Sequence, residues 1–200
     1  MKAVFRLIRL VGLSVTFLFV LTAALPHASQ AYRLPDTGQH KCYNSMRRFP
    51  CPDPGEPYYG QDAHYQGPRP AYRDNGNGTV TDLNTGLVWQ QGDDQNGTHF
   101  HSSYYTWREA MDYCGALDLA GYKDWRLPGL MELESLVHYG RRDPAVNTKV
   151  FPGCRSDGYW SSNRDEIYPE FGWIVSFWAG HSFVSYTTGG RYVRCVRGGS

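Results

Sequence analysis

The first clear pattern along the chain is an apolar run. Leu10 to Leu25 is sixteen uncharged, mostly hydrophobic residues behind the basic segment Met1–Arg9. Pro26 breaks the run, and Ser29-Gln30-Ala31 places small residues at the recognition positions. This is the layout of a secretory signal, residues 1–31, removed before Tyr32. The alternative is an uncleaved anchor, but sixteen residues fall short of the ~20 a spanning helix needs. A second apolar run of that length is missing from the sequence, so no membrane span is expected after cleavage.

Residues 32–73 form an arm rich in Pro and Tyr with little periodicity. It is expected to lay Tyr58, Tyr59, Tyr65 and Tyr72 on the domain that follows, residues 74–200. Asp74 to Gly78 is a turn cluster. Thr79–Asp82 and Leu87–Gln90 then alternate around Leu83-Asn84-Thr85-Gly86, which predicts a β-hairpin. Gly92 to His101 reads as a polar loop. Thr106 followed by Glu109 is a capping box. Trp107, Ala110, Met111, Cys114 and Leu117 follow at helical spacing, predicting a helix over 107–119. Trp125–Pro128 is extended. Leu130, Met131, Leu133, Leu136 and Val137 predict a second helix, ended by Gly140. From there the period changes to that of strands: Gly158–Ser162, Gly172–Ala179, Ser182–Thr187 after a tight Gly180-His181 turn, and Tyr192–Arg197. Two helices and antiparallel strands make an α+β layout.

Composition narrows the class. The 200 residues carry a net charge of +1, and aromatics reach 15%. Without the first 31 residues, 17 basic and 19 acidic side chains remain. That balance argues against a nucleic-acid binder. Export implies an oxidising compartment, so the five cysteines are read as disulfide candidates. Two bridges and one spare thiol allow fifteen arrangements. Cys42 and Cys51 lie close together in the arm and suit a local bridge. Cys114 on the first helix and Cys195 in the last strand would close a long loop, at about 4 kcal/mol. Cys154 is the expected spare. With no CxxC pair, a metal reading of these cysteines is not favoured.

Candidate chemistry is sparse. Gly-x-Ser-x-Gly, His-Glu-x-x-His and phosphate-cradling glycine loops are all absent. His99 and His101 could ligate a metal from one side of an extended chain, but no third ligand is near. Asp74-Asn75-Gly76-Asn77 and Asp93-Asp94-Gln95-Asn96 offer oxygen ligands for Ca²⁺. The same residues favour turns without any metal, and no cofactor is expected. Asn77-Gly78-Thr79 and Asn96-Gly97-Thr98 match the glycosylation triplet and are read as turns. Trp125 reads as a core anchor, and Arg126 as a partner of Glu132 or Asp124.

Several pieces together carry a resemblance. They are Asn77–Asp82, Thr85–Gln90, Trp107–Cys114, Asp124–Pro128, Glu132-Leu133, Phe151-Pro152, Tyr159–Ser162 and Tyr192–Arg197. Over roughly 74–197 the chain resembles the Lcl C-terminal domain family. That family takes its name from the C-terminal domain of a bacterial collagen-like surface adhesin that binds sulfated glycans. The resemblance implies a C-type-lectin-like fold, in which a bridge such as Cys114–Cys195 ties the first helix to the last strand. This sequence contains no Gly-X-Y stalk, and it lacks the Glu-Pro-Asn and Trp-Asn-Asp motifs that hold Ca²⁺ and sugar in many C-type lectins.

Such folds place their ligand site in the region corresponding to 155–191. Along 173–178, alternation turns one of Trp173 and Trp178 outward. Exposed Trp, Tyr and Arg are the side chains that stack on sugars or anchor protein contacts. The candidate site is therefore Arg164, Tyr168, Trp178, His181, Tyr186 and Arg191. The expectation is a non-enzymatic binding module for a glycan or a surface protein, secreted, periplasmic or on the bacterial surface, its oligomeric state open. One alternative is an enzyme related to the formylglycine-generating group, which shares a related fold and needs a reactive cysteine pair. The other is a structural periplasmic protein.

Overall fold

The computed structural model describes residues 35–92 and 104–199. The export signal, His99, His101, the Asp93-Asp94-Gln95-Asn96 cluster and the Asn96-Gly97-Thr98 triplet lie outside the described residues.

The arm opens with a short hairpin of β1 (Cys42–Tyr43) and β2 (Arg48–Phe49). Asn44 makes its turn, accepting from the Met46 and Arg47 N–H groups at 2.9 and 2.8 Å. The Cys42–Cys51 disulfide closes it. A single 3₁₀ turn follows at Asp62–His64. Of the four tyrosines expected to dock, only Tyr72 packs on the core, edge-on to Phe151 at 5.5 Å. Tyr58, Tyr59 and Tyr65 are exposed instead. The first two spend their rings inside the arm, Tyr58 on Phe49 and Tyr59 on His64.

The arm runs into a four-stranded antiparallel sheet, order β3-β4-β5-β9, through β3 (Tyr72–Asp74). The predicted hairpin is β4 (Thr79–Asp82) with β5 (Val88–Gln90). Asp82 is buried because it builds the turn between them, accepting from Asn84 N–H and Thr85 Oγ1 at 2.8 Å each. Asp74 does the same one turn earlier, its two oxygens taken by Gly76 N–H and Gln91 Nε2. The sheet closes with β9 (Val196–Arg197), far shorter than the predicted Tyr192–Arg197 strand. Tyr192 instead makes an isolated bridge to Tyr159, and Arg191 one to Tyr105.

Helix α1 spans Trp107–Ala116 behind the expected Thr106/Glu109 capping box. It stops before the predicted 119, where Leu117 turns to extended angles. Helix α2 covers Leu130–Glu134, and single turns carry the chain on to Val137. The second sheet, order β6-β7-β8, is a meander of β6 (Gly158–Arg164), β7 (Phe171–Ser176) and β8 (His181–Tyr186). The turn joining the last two is Phe177–Gly180, and His181 already belongs to β8.

Adjacent residues of β7 feed two different cores, because successive side chains on a strand point to opposite faces. Val175 joins Leu133, Val137, Phe151, Tyr159 and Phe177. Ile174 joins Ala110, Cys114, Trp125, Trp160 and Cys195. The second core holds the Cys114–Cys195 disulfide, which spans 81 residues. Cys154 is the free thiol and is buried. No helix among the described residues is long and apolar enough to cross a membrane.

Candidate functional site

Strand order makes β8 an outer strand, paired on one flank only. Strand edges of this kind offer backbone groups and side chains to a partner. The register fixes which side chains share a face. Phe171 stands opposite Tyr186, Trp173 opposite Val184 and Val175 opposite Ser182. On the other face, Gly172 meets Ser185, Ile174 meets Phe183 and Ser176 meets His181.

At one end of the sheet, Tyr186 lies over Phe171 with ring centroids 4.3 Å apart. Tyr168 meets the same ring edge-on at 6.5 Å. Tyr168 and Tyr186 are each about 60% exposed (58% and 61%), so the cluster is open to a ligand. Asp165 holds this corner, its carboxylate accepting from the Ile167 and Tyr168 N–H groups at 2.9 and 2.8 Å. Arg164 is at the same end but on the opposite face, in register with Gly172. Its guanidinium sits 5.2 Å from the Trp107 ring and donates to the Pro169 carbonyl. Beside it is a cavity of about 310 Å³ lined by Thr106, Trp107, Arg108, Arg164, Thr187 and Thr188.

At the other end, Trp178 is the tryptophan that turns outward, 47% exposed, with the Arg142 guanidinium 5.0 Å from its ring. His181 stacks on Phe183 at 5.3 Å. Arg191 belongs to neither end. It is half-buried, bridged through its backbone to Tyr105, with its side chain packed along Gly158. The structure therefore groups Tyr168 with Tyr186, sets Trp178 and His181 at the far end, and holds Arg164 and Arg191 apart from both. Position along the sheet separates Trp178 and His181 from Tyr186, and the pleat puts Arg164, opposite Gly172, on the other face from Phe171 and Tyr186.

Two features escaped the sequence. The first is a cleft of about 450 Å³ between the arm and the segment after α2, lined among others by Gln39, His40, Tyr65, Tyr72 and His138. Asp36 ties its rim, accepting from Gly38 and Gly67 N–H at 2.7 and 3.0 Å, and these two bonds lower its pKa. Burial, helped by Arg141, lowers that of His138. Only the Asp36-Thr37-Gly38 turn pattern hinted at this wall. The second is Arg194, fully buried between Phe151 and Tyr159. Its Nη1 donates to the carbonyls of Gln90 and Gln91 at 2.8 and 2.5 Å.

The two predicted ion-pair candidates both find partners. Arg126 grips Glu132 through two bonds of 2.7 Å, and Asp124 takes Arg197 at 2.7 Å. Cys154 donates weakly to the Arg155 carbonyl at 3.8 Å, and the other four cysteines are in disulfides, so no thiol pair exists.

Comparison with known proteins adds one positive result. No curated protein matches the chain. The family model described as the Lcl C-terminal domain matches residues 78–197. That span runs from the β4–β5 hairpin to the last strand and takes in both disulfide-linked halves of the second core. The chain belongs to the Lcl C-terminal domain family.

Proposed function

We propose that this chain is an exported, non-enzymatic binding module with a C-type-lectin-like fold, and that it recognises a glycan at or outside the bacterial envelope. The observation that carries the reading is the open aromatic corner where Tyr186 of the outer strand meets Phe171 of β7 and Tyr168 just before it. Flat aromatic faces held by local bonds bind apolar sugar faces at low entropic cost. The fold reading is supported by the helix-to-strand disulfide and by two helices packed on antiparallel strands. The binding reading over an enzymatic one is supported by the isolation of Cys154, since a formylglycine-type reaction needs two reactive cysteines. Disulfides fit an extracellular or periplasmic setting.

The test is a glycan array, sulfated polysaccharides included, probed with the exported chain in Ca²⁺ and again in EDTA. Saturable binding that Tyr186→Ala weakens supports the reading, and its survival in EDTA supports a calcium-free site. A blank array in both conditions overturns the glycan assignment and turns the aromatic corner toward a surface protein. Binding unchanged in the Tyr168→Ala, Tyr186→Ala double variant would remove the site from this corner.

A further inference from the structure

The arm brings three metal-ligand side chains together. The donor atoms of Cys42, Cys51 and His64 all lie within 4.8 Å of one another. His64 comes from the 3₁₀ turn, and its Nδ1 sits 3.9 Å from Cys42 Sγ. We propose that reduction of the Cys42–Cys51 bond converts this cluster into a zinc site with two thiolates, one imidazole and an open fourth position.

Three observations carry the proposal. The first is spacing. Sulfur and nitrogen on one tetrahedral zinc sit roughly 3.5 Å apart, given bonds of about 2.3 and 2.0–2.1 Å. The Cys42–His64 separation needs only a small adjustment to reach that. Two thiolates on one zinc are roughly 3.7 Å apart, well beyond bonded sulfurs, so disulfide and metal exclude each other.

The second is the orientation of His64. Its Nε2 lies 2.8 Å from the Pro52 carbonyl. With the proton on Nε2 donated there, the Nδ1 lone pair is free to bind a metal beside Cys42. This is the backbone-carbonyl support that zinc-bound histidines commonly have. Gln61 O also lies 3.1 Å from Nδ1, so the imidazole turns away from that carbonyl and toward Cys42 as Nδ1 takes the metal. Tyr59 packs on the imidazole with centroids 4.6 Å apart and holds its plane.

The third is access. Cys51 is exposed, whereas Cys42 and both cysteines of the second disulfide are fully buried. An external dithiol can therefore attack Cys51 first. It forms a mixed disulfide there and releases the Cys42 thiolate beside His64. Its second thiol then resolves that intermediate. The dithiol is oxidised to its own disulfide and gives up two electrons. The two cysteines gain them and hold the two protons until Zn²⁺ displaces both. The spacing of the two cysteines concealed this site from the sequence, because the third ligand arrives through the fold.

The experiment uses the full exported chain carrying Cys154→Ser, which removes the spare thiol. One sample stays oxidised. A second is treated with dithiothreitol under nitrogen, freed of reductant, and mapped by mass to confirm that only Cys42–Cys51 opened. Zinc is then added and measured per chain, with a chromophoric chelator as competitor. The expected result is one zinc per reduced chain and none per oxidised chain. His64→Ala and His64→Gln should each weaken binding 10-fold or more. Cobalt in place of zinc should give thiolate charge-transfer absorption and tetrahedral bands, altered in His64→Gln. No zinc uptake by the reduced chain overturns the site. So does equal uptake by the oxidised chain, or a His64→Gln affinity matching the parent.

Discussion

Arg126 and Glu132 are joined by two parallel hydrogen bonds of 2.7 Å, and the pair fastens the start of α2 to the C-terminal strand. Glu132 also accepts the Gly129 N–H at 2.7 Å, capping its own helix. Arg126 donates further to the Gly198 carbonyl and pairs through its backbone with Val196. Burial pushes the Glu132 carboxyl up, but Arg126 and the Gly129 N–H together outweigh it, and its pKa is lowered. A group lowered in the folded state stabilises fully above its unfolded pKa, and the contribution is lost as pH falls through the folded value. Acid titration of stability should therefore show a decline below the ordinary Glu range, and Glu132→Gln should flatten it. At pH 7 the same variant should cost about 1–2 kcal/mol in urea unfolding. An unchanged acid profile would show that the pair does not couple folding to pH.

The two disulfides should behave differently. Cys114–Cys195 closes a separation of 81 residues inside a core, and chain entropy assigns it about 4.5 kcal/mol. Cys42–Cys51 closes a separation of 9 in the arm, for about 2.5 kcal/mol that is local. The Cys114→Ala, Cys195→Ala double variant should lower the global unfolding midpoint. Cys42→Ala, Cys51→Ala should leave that midpoint nearly in place and raise proteolysis within 35–70. Equal loss of global stability from both would mean that arm and domain unfold as one unit.

Gly172 marks where α1 closes on the second sheet. A Cβ there would stand 2.9 Å from Trp107 Cδ1 and 3.1 Å from Trp160 Cζ3. Both rings are held, Trp107 by the Ser161 carbonyl at 2.9 Å and Trp160 by that of Tyr105 at 2.6 Å. Gly172→Ala should therefore cost about 1–3 kcal/mol by overpacking. Thermal unfolding checks it, and a neutral result would mean that the indoles move aside freely.

Arg194 combines a buried cation with carbonyl acceptors at the end of β5. Arg194→Ala leaves a cavity and strips the Gln90 and Gln91 carbonyls of a donor. The expected loss is about 3 kcal/mol or more. Lysine should rescue little, because it cannot lie flat between Phe151 and Tyr159. Denaturant unfolding of both variants decides this, and full rescue by lysine would show that charge alone matters.

On the ligand side, Tyr186→Ala should weaken binding about 10-fold or more, in line with loss of one aromatic anchor. Trp178→Ala should have a smaller effect, since the far end of the sheet separates it from Tyr186. Affinity measurements on any hit from the array check the ranking, and the reverse order would move the site to the Phe177–Gly180 turn.

Much of this was legible in the chain. Thr106 and Glu109 announce the start of α1 because capping chemistry is local. Both disulfides match the pairs expected from nearness in the arm and from the helix-to-last-strand bridge. One of the two tryptophans does face outward: Trp178 is exposed in the turn after β7, and Trp173 is half-buried within the strand. Errors cluster where distant chain segments decide the outcome. Tyr192–Arg197 alternates like a strand, yet only two residues pair as β9, because Tyr192 is drawn to Tyr159 and Arg194 to the end of β5. Tyr58 and Tyr59 miss the domain for a nearer reason, since Phe49 and His64 within the same arm take their rings and composition does not rank such contacts.

By itself, the sequence determined the α+β class, the element order, the cysteine pairing and the family likeness. These rest on period, caps and turn residues, which act over a few positions, and on motifs fixed in the chain. Tertiary structure alone decided which candidate residues meet. The strand pairing sets Arg164 opposite Gly172 and Tyr186 opposite Phe171, which puts the two on opposite faces of one sheet end. The fold of the arm carried His64 to the first disulfide. Both outcomes depend on pairings between segments far apart in sequence, and no local pattern encodes the register at which such segments settle.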